Sequence, residues 1–165
     1  MRPDPIPLAL LADLPLVYRA VAPEDFRDIN DHMNVRGYLA LYDDAGIPLF
    51  AQLGLDAAYF QAGAATTFDL EHHIHYLSEV GIGDALAFRA RLVGRSPKRL
   101  HYLLFMVNET RAALASTLEV INTHVDRSTR RTAPYPEAVA ARMDALLADH
   151  ARLGWPAPVC GAMRA

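Results

Sequence analysis

Asp28-Ile29-Asn30-Asp31-His32-Met33-Asn34-Val35-Arg36-Gly37-Tyr38 is the stretch on which the reading of the fold turns. Before Val35 no hydrophobic period holds. From there Val35, Tyr38, Leu39, Tyr42, Ala45, Leu49, Phe50 and Leu53 recur at helical spacing, with Arg36, Asp43 and Asp44 off the stripe. Asn34 suits a helix N-cap, because its short amide can accept first-turn N–H groups, and Gly54 suits the stop. Gly46 and Pro48 predict a kink or short break, since proline removes a backbone donor and crowds the preceding turn. A stripe of this width is the face of a core helix.

On either side of that helix the pattern changes. Upstream, Pro3, Pro5, Pro7 and Pro15 predict an irregular arm over residues 1–15, and Leu16 to Val21 a short first strand. Downstream, after a Gly/Ala loop, the period falls to two. Leu70, His72, Ile74 and Tyr76 alternate with Glu71, His73 and His75, and Leu86, Phe88, Ala90 and Leu92 alternate with Ala87, Arg89 and Arg91. Leu100 to Val107 is apolar on both faces, which predicts a central strand covered twice, and Ala112 to Val125 a long last strand. Pro136 opens a C-terminal helix with Val139, Met143, Leu146, Leu147 and His150 on one face. The Pro- and Gly-rich residues 154–165 predict a loose tail. Strand, long helix, four strands, helix is an α+β order: antiparallel strands around one buried helix, in a single domain over residues 1–165. The doubly apolar strand suggests that a second copy of the chain supplies part of the cover.

Composition narrows the function classes. In 165 residues, 52% are apolar and 21% charged, an ordinary globular balance. Sixteen basic against 19 acidic residues give a net charge of −3, which offers no electrostatic case for a nucleic-acid partner. One cysteine, Cys160, excludes an intrachain disulfide framework and a multi-cysteine zinc site. The apolar N-terminal stretch is interrupted by Pro7, Asp13 and Pro15, so neither a signal peptide nor a bilayer span is expected, and the location expected is cytoplasmic.

The residues from Asp28 to Tyr38 resemble the signature of hot-dog-fold acyl-CoA thioesterases of the 4-hydroxybenzoyl-CoA thioesterase type: an Asp, a Gly-His-x-Asn turn, then a central helix with an aromatic in its second turn. The likeness runs from Val17 to about Leu153. It includes Glu71 through Leu77, the Gly83-Asp84 turn and the strand ending His124-Val125-Asp126, and is nearest to thioesterases associated with carnitine breakdown. It implies a hot-dog fold, a sheet wrapped around the long helix. One position departs: Asp31 stands where the family has Gly. If that residue needs a positive φ, Asp tolerates the left-handed region better than most residues, though at some cost. It also adds a carboxylate three residues from Asp28.

Thioester hydrolysis needs a nucleophile or a base for water, and donors for the developing oxyanion. The resemblance implies that Asp28 attacks or activates water, with His32 holding the turn. Asn34 caps the helix or meets the substrate, and the helix start through Gly37 and Tyr38 receives the thioester carbonyl. Glu71 and His73, on the next strand, would reach an acyl pocket across a subunit boundary. Glu71, His73 and His75 share one strand face and could in principle ligate a metal. Enzymes of this type work without one, so no metal or cofactor is expected beyond the coenzyme A of the substrate. Arg95, Lys98 and Arg99 cluster in a turn suited to its phosphates. The expected protein is thus a homodimer or homotetramer hydrolysing a small or medium acyl-CoA to the free acid and CoA. The alternatives are a non-catalytic acyl-CoA-binding module and an enoyl-CoA hydratase. Tyr38, Tyr42, Tyr59, Tyr76 and Tyr102 could line an aromatic pocket or cage a quaternary ammonium, or simply fill the core.

Overall fold

The computed structural model describes residues 6–165. In chain order these form α1 (Leu8–Leu11), β1 (Leu16–Val21), a 3₁₀ turn (Glu24–Phe26), α2 (Val35–Gln52), α3 (Ala57–Gln61), β2 (Ala65–Tyr76), β3 (Ala85–Arg95), β4 (Arg99–Asn108), β5 (Ala113–Asp126), β6 (Arg131–Thr132) and α4 (Glu137–Ala151). The sheet runs β1-β3-β4-β5-β2, with β6 pairing β5 at its far end. β1 lies antiparallel to β3, Leu16 opposite Arg89 and Val21 opposite Ala85. The links from β3 to β4 and from β4 to β5 are too short for a parallel crossover, so those pairs are antiparallel as well.

The chain divides into two compact units whose boundaries cut through α2 and the strands. One comprises residues up to Pro48, Ile74–Ala90 and Leu104–Leu118; the other Leu49–His73, Arg91–Leu103 and Glu119–Ala165. In the first, Tyr42 of α2 meets Phe88 of β3 edge-on, centroids 5.6 Å apart, and Tyr18 packs on the same ring. The Tyr42 hydroxyl is satisfied by Ser116 Oγ at 2.6 Å, which is what lets a tyrosine sit fully buried. In the second, Phe50 of α2 meets Tyr102 of β4 at 5.8 Å, and Leu53, Leu55, Leu100, Val139 and Met143 complete an apolar core.

α2 carries the stripe read from the sequence and ends where Gly54 requires. Gly54 takes φ +90°, its N–H donates to the Ala51 carbonyl and that of Leu55 to the Phe50 carbonyl. This is a Schellman cap, with Leu55 and Phe50 as its apolar pair. The break expected at Pro48 does not occur. α2 continues through it for 18 residues. The bond lost is the one to the carbonyl of Asp44, an exposed residue where water can answer.

Four other expectations change. Within the arm, Leu8–Leu11 forms a helical turn and Leu11 and Leu14 are buried; residues 1–5 lie outside the described residues. The tail is fastened: Arg91 Nη2 donates to the Trp155 carbonyl at 3.0 Å, the Cys160 N–H donates to Glu119 Oε2 at 2.7 Å, and Met163 is buried. β4 is central, as its two apolar faces imply, but the chain itself buries both. Exposed apolar side chains lie on β2 instead. That strand ends the sheet order beside β5, and the expected in–out alternation is absent from it: residues 68–72 are all exposed, Phe68 at 63% and Leu70 at 44%. On α4, Val139, Met143 and His150 are buried while Leu146 and Leu147 are half-buried.

Candidate active site

The loop before α2 is built by its own backbone. Arg27 pairs antiparallel with Met33, and His32 with Gly81. The Asp28 N–H donates to the His32 carbonyl at 2.9 Å, the Met33 N–H to the Val80 carbonyl at 2.8 Å, and the Asn34 N–H to the Phe26 carbonyl at 2.8 Å. Closing so tight a loop puts Asp31 at φ +68°, the left-handed conformation anticipated for the residue in place of glycine. Arg27 holds the Asp31 carboxylate and forks onto Glu24 at 2.6 and 2.8 Å, so that charge is answered locally.

Inside the loop, Asp28 Oδ1 accepts from the backbone N–H groups of Asn30 at 2.8 Å and His32 at 3.2 Å. The His32 and Asn30 N–H groups hold the Asp28 carboxyl below its ordinary value, so it is ionised at neutral pH. Asn34 is the N-cap: its Oδ1 accepts from Arg36 N–H at 2.9 Å and Gly37 N–H at 3.3 Å. Gly37 is buried and cannot be otherwise, since a Cβ there would lie 2.5 Å from Met33 Cγ and 2.9 Å from Phe26 Cβ.

An open cleft of about 340 Å³ lies beside this loop, lined by Asp28, Met33, Asn34, Val35, Tyr38 and the run Tyr76–Glu79. Tyr38 and Tyr76 meet edge-to-face with centroids 5.0 Å apart, and the Tyr38 hydroxyl donates to the Ser78 carbonyl at 3.3 Å. Burial pushes the Tyr38 phenol up, so it stays neutral. The Ser78 hydroxyl has no partner. His32 is not on the cleft wall, but its Nε2 lies 3.1 Å from Glu79 Oε2, which is.

Asp28, Asn34 and Tyr38 therefore share one cleft, with His32 behind it, while Gly37 packs the helix base. Glu71 and His73 sit on β2, outside the lining of this cleft. Of the basic turn, Arg95 is engaged by Asp144 at 2.6 Å, whereas Lys98 and Arg99 are exposed. Among the described residues no group of three or more His, Cys, Asp or Glu is placed to hold a metal. No helix is long and apolar enough to cross a membrane.

Sequence reading passed over Ser78 and Glu79, and took Asp84 only as part of the Gly83-Asp84 turn. Asp84 is buried under the site, where its Oδ2 accepts from Asn108 Nδ2 at 2.6 Å, Gly81 N–H at 2.8 Å and Arg111 Nε at 2.8 Å. It thereby fixes the turn whose Gly81 pairs with His32. An acid beside Gly83 was the available signal, but it reads equally as an exposed turn residue.

A cleft against the start of one long helix, with an ionised Asp on the entering loop, is the candidate site of this chain. The chain belongs to the Thioesterase-like superfamily, whose profile matches residues 21–143. It is 34% identical over 138 residues to betainyl-CoA thioesterase of Pseudomonas aeruginosa, covering 82% of this chain and 85% of that one. It is 36% identical over 151 residues to an L-carnitine dehydrogenase/betainyl-CoA thioesterase of Agrobacterium fabrum, where it covers 87% of this chain but 31% of the relative. The chain thus spans less than a third of the length of such two-activity relatives. Among solved structures, a Staphylococcus aureus protein in complex with CoA aligns at TM-score 0.81 and 27% identity, over 92% of this chain and 96% of that one.

Proposed function

We propose that the chain is an acyl-CoA thioesterase whose reaction takes place in the Asp28–Tyr38 cleft. The carrying observation is the placement of an ionised carboxylate, Asp28, in the same cleft as the first turn of α2. Two backbone N–H groups aim the carboxylate, so it needs no reorganisation to act. Asn34 occupies the N–H groups of Arg36 and Gly37. The thioester oxygen would therefore meet the Val35 N–H and the positive end of the helix dipole. Asp28 either attacks the carbonyl carbon, giving an anhydride that water opens, or takes the proton of a water that attacks. In both cases the C–S bond breaks and the CoA thiolate leaves, picking up a proton. No metal or added cofactor enters this scheme.

The acyl group that suits the cleft is a small cationic one. Tyr38 and Tyr76 offer aromatic faces and edges, and Asp28 and Glu79 offer negative charge, the pairing that holds quaternary ammonium groups. The relatives named for betainyl-CoA support this choice. Self-association through the β2 edge, as a homodimer or a dimer of dimers, would bring a second copy beside the strand that carries Glu71 and His73. The free Cys160 is compatible with a cytoplasmic setting.

The test is thiol release from a panel containing betainyl-CoA and its uncharged isostere 3,3-dimethylbutanoyl-CoA. Turnover of betainyl-CoA is expected to exceed that of the isostere by about tenfold or more. Asp28→Asn keeps an Oδ1 for the Asn30 and His32 N–H groups, so the loop should hold while turnover falls about 10²–10⁴-fold. Release from no member of the panel, or full activity in Asp28→Asn, would remove the assignment.

A further inference from the structure

We propose that Arg91 and His150 form a buried binding site for a small oxyanion, a carboxylate or inorganic phosphate, in the second compact unit and separate from the thioester reaction. Arg91 is 7% and His150 5% exposed. The guanidinium lies over the Trp155 ring, its carbon 4.2 Å from the centroid, and Nη2 donates to the Trp155 carbonyl at 3.0 Å. Its Nη1 is buried with no acceptor, and no carboxylate pairs with it among the described residues. His150 Nδ1 accepts the Leu92 N–H at 2.9 Å. That bond fixes the tautomer: the ring proton is on Nε2, which is likewise buried without a partner.

Both orphaned atoms are therefore N–H donors, on residues of neighbouring backbone, and one belongs to a full positive charge. A buried charge with no counter-ion is among the costliest features a fold can carry, and buried donors are almost always satisfied. An oxyanion, accepting from Nη1 and Nε2, is the chemistry that would answer both donors and the guanidinium charge. Burial lowers the Arg91 value, and burial together with the Arg91 charge lowers that of His150, as expected where nothing neutralises the guanidinium. An oxyanion there would tie β3, α4 and the C-terminal segment together.

Trp155 is the only tryptophan, so its emission reports the site directly. Purified protein titrated with sodium phosphate or acetate, against sodium chloride at matched ionic strength, is expected to show a saturable change in Trp155 emission. The melting temperature should rise by about 2–4 °C at roughly five times Kd. Arg91→Met, which keeps the stem but not the charge, should abolish both. Saturation by only one of the two anions assigns the ligand class. A response that chloride reproduces, or that Arg91→Met retains, overturns the proposal. Should Arg91→Met not fold, crystals of the unaltered protein soaked in selenate decide the matter. Anomalous density within hydrogen-bond distance of Arg91 Nη1 and His150 Nε2 supports the site, and water alone there refutes it.

Discussion

Replacing Asp84 with alanine should cost the protein about 3–5 kcal/mol. The carboxylate serves three donors through Oδ2: Asn108 Nδ2, the Gly81 N–H and Arg111 Nε. Asn108 and Gly81 are buried, so removing the acceptor strands two donors where water does not reach, at about 1.5–2.5 kcal/mol each. The half-exposed Arg111 regains water and adds little. For a chain of this size the melting temperature should fall by about 6–20 °C. Burial pushes the Asp84 carboxyl up, but the bonds from Asn108, Gly81 and Arg111 outweigh it and hold it below its ordinary 3.8. The stabilisation is therefore fully present above pH ~4 and lost as pH falls through the lower folded-state value. Urea unfolding of the two proteins at pH 7 and at successively lower pH measures both effects. A difference below about 1 kcal/mol at neutral pH, or a gap that widens on acidification, would refute the reasoning. Because Gly81 pairs with His32, the variant should also lose turnover while still folded.

Asp31→Gly should leave turnover within a few-fold and shift stability by less than about 1 kcal/mol, relief of the positive φ at +68° offsetting the exposed pair with Arg27; thermal melts and thiol release check both. Multi-angle light scattering should give at least a dimer at micromolar concentration, and Phe68→Glu combined with Leu70→Lys should shift it toward monomer. Turnover should survive dialysis against EDTA, with a loss restored by one defined metal as the contrary result.

Much of this was legible because single residues carry it. Asn34 and Gly54 mark the ends of α2 through short-range chemistry, and Leu100 to Val107 announces a central strand by composition alone. The break at Pro48 did not follow because its penalty depends on whether the stranded carbonyl faces water, which a sequence does not state. β2 misled because alternation records which residues could be buried, not whether a packed layer covers either face of the strand. In the site, Asp28 and Asn34 were visible through the loop motif. Glu79 and Asp84 were not, since their partners, His32, Asn108 and Arg111, lie 24 to 47 residues away in sequence.

The open edge of β2 has a consequence for the chain before it finds a partner. A 12-residue extended strand with Phe68 and Leu70 exposed is a template onto which any other unfolded segment can add, the usual start of misassembly. The same strand carries its own safeguard. Asp69, Glu71, His72, His73 and His75 interleave with the apolar positions, and in antiparallel self-pairing their opposition changes with every register. Registers that set acid against acid are disfavoured, and the same charges solubilise the lone strand. Neutralising Glu71 should therefore lower the yield of soluble protein, whereas Asp69 also accepts from Asn122 Nδ2 at 2.6 Å in the folded chain.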